Sequence, residues 1–231
     1  MPHQVIVNAD DFGLSACENA VILGAFQAGI ISSATAMANM PAFEAACALA
    51  QHPLLAGRIG LHFNLTYGSP LSRRILTRRT FCDSAGVFDL NLSRTRLWLG
   101  HQDRLAVEEE LEAQWQRCLD NDVRPSHLDS HQHVHNIWPI GEIVARFAAR
   151  QGVPVRLARN LGQNLSLPKR LFKQLLNHRL NSLAARPPTT SAPRWTCATP
   201  RRPLTACWKS SPTPTSSAPI LAMLIWNRGS H

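Results

Sequence analysis

The chain has 231 residues, 45% hydrophobic and 17% charged, enough for one domain with a sizeable core and too apolar for a chain disordered throughout. No apolar run approaches the roughly 20 residues of a membrane span, and the start, Met-Pro-His-Gln-Val-Ile-Val-Asn-Ala-Asp-Asp, meets acid where a signal peptide would stay apolar. The net charge of +9 does not indicate a nucleic-acid partner, because residues 143–231 hold 14 Lys+Arg and no acid while residues 1–142 hold 10 Lys+Arg and all 15 Asp+Glu.

Six scattered cysteines, none in a Cys-x-x-Cys pair, suit a reducing compartment and neither a disulfide framework nor a thiolate zinc site. A cytoplasmic protein is the expectation. In chain order, residues 4–9 read as a buried strand ending in Asp10-Asp11-Phe12-Gly13, and Ser15 caps a helix over about 16–29. Residues 30–37 suit a second strand, 41–51 an Ala-rich helix closed by His52-Pro53, and 58–65 a third strand. Residues 71–102 are irregular. An amphipathic helix follows over 104–121, then a strand at 126–130, a helix at 140–151 ended by Gly152, a short strand at 153–157 and a basic helix at 168–183. Strands alternating with helices at this spacing imply parallel βαβ units, in an open sheet or a barrel. Asp10-Asp11, His62 and His131 each fall at or just past the C-terminal end of a predicted strand, where such folds assemble their sites.

Asp10-Asp11 reads either as a turn or capping pair or as two carboxylates with separate tasks, one on a metal and one accepting a proton. His62 alone is weak. The segment His127-Leu128-Asp129-Ser130-His131-Gln132-His133-Val134-His135 is stronger, since an extended chain puts four histidines and an aspartate on one face. Such a face has no use in an apolar core. Asp and His donors leave coordination positions open for water, the pattern of a hydrolytic metal site.

Four linked motifs occur in order: Asn8-Ala9-Asp10-Asp11-Phe12-Gly13-Leu14-Ser15, Met37-Ala38-Asn39-Met40-Pro41-Ala42-Phe43, Gly60-Leu61-His62-Phe63-Asn64-Leu65-Thr66, and the His127–His135 segment. Over about residues 4–183 the chain resembles the YdjC-like carbohydrate deacetylases, the group of chitooligosaccharide and hopanoid-associated deacetylases. The resemblance implies a TIM-like (β/α) barrel, seven-stranded in the family and incomplete here, over residues 1–184. It implies removal of acetyl groups from N-acetylated amino sugars with one divalent metal ion, Mg2+ or Zn2+. Motif matching makes Asp11, His62 and His131 the metal ligands and Asp10 the catalytic base. His127, Asp129, Asn64 and His133 then lie beside the ligands or the substrate. No nucleic acid and no membrane span are expected, and a homodimer is left open.

The resemblance also implies a general acid, a histidine in a Glu-x-x-x-His-Pro type segment near the C-terminus. No such segment is present. Residues 185–231 read instead as an aberrant Pro/Ser/Thr/Arg-rich tail, poorly ordered, whose apolar run at 220–226 has no structural partner. The genetic code offers a cause. Read from the last base of each codon, Cys207-Trp208-Lys209-Ser210-Ser211-Pro212-Thr213-Pro214 permits Leu-Glu-Ile-Ile-Ala-His-Pro, so the tail is read as a shifted frame, with a natural Pro/Ser/Thr-rich tail as the alternative. The alternative function is a catalytically impaired remnant or a sugar-binding protein that lacks the acid. A phosphoesterase is less suited, because neither motif carries a Gly-rich phosphate loop or a neighbouring Lys or Arg.

Overall fold

A parallel strand is covered on both faces, so its side chains must satisfy two environments at once. In this chain the alternation is resolved by residue type. The computed structural model describes residues 5–157 and 166–184 and the backbone of two further strands at 195–196 and 224–228. In chain order the elements are β1 (Val5–Phe12), α1 (Ala16–Gln27), β2 (Ser33–Ala36), α2 (Phe43–Ala50), β3 (Ile59–Phe63), a short α3 (Arg73–Leu76), α4 (His101–Asp120), β4 (Leu128–Ser130), α5 (Trp138–Gln151), α6 (Leu167–Ala184), β5 (Trp195–Thr196) and β6 (Leu224–Arg228). A 3-10 turn over His131–Asn136 joins β4 to α5.

The strands form one sheet in the order β4-β3-β2-β1-β6-β5. β1 to β4 are parallel, with Asn8 beside Ser33, Thr35 beside Gly60 and His62 beside Asp129. Ala9, Ala34, Ala36, Ile59, Leu61, Phe63 and Leu128 belong to the hydrophobic core. The alternate positions, Asn8, Asp10, Ser33, Thr35, His62, His127 and Asp129, are bonded to one another on the inner side. Four parallel strands with a polar inner face and an apolar outer face thus make a half-barrel of the (β/α) type.

Local signals place the longer helices as expected, while the short α3 lies within residues 71–102, which were expected to be irregular. The Ser15 side chain accepts from the amides of Cys17 and Glu18, and Gly152, at φ 70°, ends α5 in the left-handed conformation that costs glycine least. Three expectations need correction. Residues 153–157 do not form a full strand. Only Val155 bridges Leu128, with the Leu128 amide donating to the Pro154 carbonyl and the Arg156 amide to the Leu128 carbonyl; Pro154 lacks the amide a longer ladder would use. The apolar run near the end does have a partner, since β6 pairs antiparallel with β1 from Val5↔Asn227 to Asn8↔Leu224. The His127–His135 segment is not extended throughout, because Gln132 and His133 adopt φ of 48° and 54° and turn the chain after β4. Apart from β5 and β6, the tail expectation for 185–231 lies outside the described residues. Among the described residues no helix is long and apolar enough to cross a membrane.

Candidate metal centre

The site begins with an irregularity in β1. The register with β2 shifts between Ala9 and Phe12, and within that bulge Asp11 takes φ 68°. A bulge re-aims side chains at a strand end, and aspartate is among the few residues that tolerate the left-handed region. Asp10 stays among the inner polar residues, while Asp11 is turned toward the strand ends. Gly13 follows at φ 91°, where a Cβ would stand 3.1 Å from the Phe43 Cα, so the close passage over α2 requires glycine.

Asp11 Oδ1 lies 3.1 Å from His62 Nε2 and 2.9 Å from His131 Nδ1. The three residues offer ligand atoms all within 4.8 Å of one another. Donors around one ion at about 2.0–2.2 Å stand roughly 3–4 Å apart, so a small inward movement would close the set. One carboxylate and two imidazoles suit a divalent ion and leave positions for water and substrate.

His62 is prepared for that role from behind. Its Nδ1 is 2.6 Å from Asp129 Oδ1 and 3.1 Å from Thr35 Oγ1, leaving Nε2 turned to Asp11. A carboxylate that takes the Nδ1 proton fixes both the tautomer and the ring orientation of a metal-binding histidine. Burial opposes a charge on His62, yet Asp129, Asp11 and Asp10 outweigh it and push its pKa up to about 10. Burial likewise raises Asp11, but its bonds to His131 and His62 hold it well below the usual carboxylate range. Asp129 is held low by His62 and Arg156 against the cost of its burial. Asp10 moves the other way: burial and the neighbouring Asp129 raise it, against the pull of His62, Arg156 and Asn8.

Of the other residues singled out in the sequence, His127 is buried one layer below the centre. Its Nε2 is 3.3 Å from both Asn8 Oδ1 and Ser33 Oγ, its Nδ1 is 2.9 Å from Ser126 Oγ, and burial pushes its pKa down to about 4. Its ring occupies the space of a Gly60 side chain, since a Cβ there would lie 2.7 Å from the imidazole and from the His127 carbonyl. Asn64 is fully buried and shapes the loop after β3: its Oδ1 accepts from the amides of Thr66 and Tyr67, and its Nδ2 donates to the Tyr67 carbonyl. Gln114 of α4 pins the Asn64 backbone through both its amide and its carbonyl. His133 is exposed on the turn, with its ring 6.1 Å from that of His135. The Gln132 and His133 carbonyls both accept from Arg94, reaching in from the long loop before α4.

Sequence reading missed Arg156. Its Nη1 lies 3.1 Å from both oxygens of Asp10 and 2.8 Å from Asp129 Oδ2, with the side chain 5% exposed. The signal was a single arginine inside the apolar run Val153-Pro154-Val155-Arg156-Leu157, at a place where a buried charge needs carboxylate partners.

The model of the YdjC-like protein family matches residues 4–209. The chain belongs to the YdjC-like family. It is 40% identical over 164 residues to the chitooligosaccharide deacetylase of Salmonella typhi, covering 69% of this chain and 61% of that protein. It is 42% identical over 160 residues to the carbohydrate deacetylase of Geobacillus stearothermophilus, with the same coverage. The chain therefore spans about 61% of the length of these YdjC-like relatives. Among solved structures it resembles one described as a cellobiose-phosphate cleavage protein from Enterococcus faecalis, at TM-score 0.59 and 27% identity, over 74% of this chain and 63% of that one.

Proposed function

We propose that the chain carries the metal-binding and proton-accepting half of a carbohydrate N-deacetylase, acting on the acetamido group of an N-acetylated amino sugar and completed in the family by a seven-stranded barrel. The observation that carries this reading is the convergence of Asp11, His62 and His131 with Asp10 beside them, in a chain 40–42% identical to proteins named as chitooligosaccharide and carbohydrate deacetylases. The donor set fits a divalent ion, zinc or magnesium, because His62 is held with Nε2 turned to Asp11 and the three ligand atoms are already grouped.

A bound divalent ion supplies a polarised amide carbonyl and a more acidic water at the centre. Asp10, adjacent in sequence to the ligand Asp11 and held by Asn8 and Arg156, accepts a proton from the attacking water. Asp129 and Thr35 keep the His62 ring in place through this step. The departing amine then needs a proton, and the sequence carries no Glu-x-x-x-His-Pro segment to give it. That observation supports the second reading: a chain that binds the metal and hydrolyses slowly. The reaction is taken to occur in the cytoplasm, on a soluble amino sugar and without nucleic acid.

Acetate release from diacetylchitobiose, with and without a chelator, tests the proposal on both this chain and a version with the reading frame restored after residue 184. Chelator-sensitive release by the restored protein is expected. Release that is indifferent to chelation and to His62→Ala would overturn the metal mechanism, and a restored, metal-loaded protein that releases no acetate would overturn the substrate class.

A further inference from the structure

We propose that Tyr67 is the platform on which a sugar ring of the substrate stacks beside the metal centre. The inference rests on the amino-sugar reading above and adds a residue that holds the sugar itself. Among the described residues the exposed aromatic rings are Tyr67 and Trp98, 55% and 66% exposed, while the phenylalanines and the other tryptophans are buried or half-buried. Both exposed rings lie in the connection from β3 to α4. In a (β/α) unit that connection lies over the C-terminal ends of the strands, the end at which Asp11, His62 and His131 meet. Arg94 of the same connection bonds the Gln132 and His133 carbonyls, just past His131. Single apolar residues scattered on a surface are ordinary, but two aromatic rings gathered at one end of the fold mark a binding place.

The main chain beneath Tyr67 is fastened from several sides. Asn64, two residues past His62, accepts from the Tyr67 amide at 3.2 Å and donates to its carbonyl at 2.6 Å. Asn39, in the connection after β2, donates to the Tyr67 and Ser69 carbonyls, and the Phe88 amide donates to the Gly68 carbonyl. Farther on, the fully buried Glu110 of α4 accepts from the Leu71 and Ser72 amides. A carboxylate is costly to bury, and here it serves to hold two backbone amides of a loop. The Trp98 ring carries the Arg96 guanidinium, 5.0 Å from its centroid, whereas the Tyr67 ring and hydroxyl make no such contact among the described residues. Tyr67 is therefore an open ring on a fixed base. Such a ring meets the C–H face of a pyranose by burial and dispersion, and with few rotatable bonds it loses little conformational freedom in doing so.

Tyr67 is the only tyrosine of the chain, so the full chain grown with 3-fluorotyrosine gives a single 19F resonance that reports this ring. Titration of the Zn2+-loaded chain with diacetylchitobiose is expected to move that resonance saturably. In calorimetry with the same sugar, Tyr67→Ala is expected to bind about 3–10-fold more weakly than wild type, and Tyr67→Phe within about twofold of it, because the ring and not the hydroxyl makes the contact. A resonance that stays in place while calorimetry shows binding would overturn the role of Tyr67, as would wild-type affinity in Tyr67→Ala. Tyr67→Phe as weak as Tyr67→Ala would assign the effect to the hydroxyl and overturn the stacking. A chain that binds no diacetylchitobiose overturns the inference as well. Acetate release by the frame-restored protein tests the deacetylase reading separately. Release together with a silent Tyr67 removes the platform alone, and saturable binding at Tyr67 without release removes the deacetylase reading alone.

Discussion

Replacing Asp129 by Asn tests how much of the centre is built behind the ligands. The carboxylate is 0% exposed and takes a 2.6 Å bond from His62 Nδ1 and a 2.8 Å bond from Arg156. Asparagine keeps the shape and one acceptor oxygen but removes the charge, so the grip on the His62 tautomer weakens while Nε2 still faces Asp11. A buried bond to a charged group contributes about 1.5–3 kcal/mol. That range agrees with the 10–100-fold, or about 1.4–2.7 kcal/mol, by which such supporting residues typically change metal affinity. Competition with a chromogenic chelator at fixed pH gives the dissociation constant of each protein, and urea unfolding of the metal-free forms separates a loss of affinity from a loss of fold. Asp129→Asn is expected to bind zinc 10–100-fold more weakly than wild type. An affinity within twofold of wild type, in a protein that still unfolds cooperatively, would show that Asp129 does not set the geometry of His62.

Gly60→Ala should destabilise the fold by about 1–3 kcal/mol or more in urea unfolding, because the new Cβ meets a carbonyl as well as a ring at 2.7 Å and no rotamer relieves both. The metal-free chain should lose stability as pH falls from about 6.5 toward 4. Over that interval the unfolded chain protonates its histidines while buried His127, with its pKa pushed down to about 4, resists, so the stability is present above 6.5 and lost on acidification. A His127→Gln variant should show a shallower slope across that window in pH-dependent denaturation. Asp10→Asn in the frame-restored protein should retain zinc but lose at least about a hundredfold in kcat, the ordinary scale of general-base catalysis, as read by acetate release. Restoring the frame should itself raise turnover by roughly 10²–10⁴ over the chain as written, the general-acid contribution, measured on equal amounts of metal-loaded protein.

Much of the fold is legible because strand and helix signals agree with their surroundings. The apolar runs mark the strands, and within them Ala9, Ala34, Ile59 and Leu61 lie on the core face while Asn8, Ser33, Thr35 and His62 lie on the other. The strand at 153–157 was overread because apolar residues satisfy the period of a strand, while the proline among them limits the ladder to a single bridge. The histidine segment was overread for a similar reason. Spacing of two implies a face only while the backbone is extended, and the left-handed Gln132 and His133 break that spacing after β4. Asp11, His62 and His131 could be named from motifs, but the bulge that turns Asp11 is a register event and leaves no periodic mark. Arg156 escaped because its partners are 27 and 146 residues distant in sequence, and an isolated arginine in an apolar run does not say which carboxylates it meets.

The most direct test is anomalous diffraction at the zinc edge from crystals of the zinc-loaded chain. One peak bounded by an Asp11 oxygen, His62 Nε2 and a His131 ring nitrogen, each at about 2.0–2.2 Å, is the predicted result. A peak at His133 and His135, or no ordered zinc between Asp11 and His62, would contradict the account.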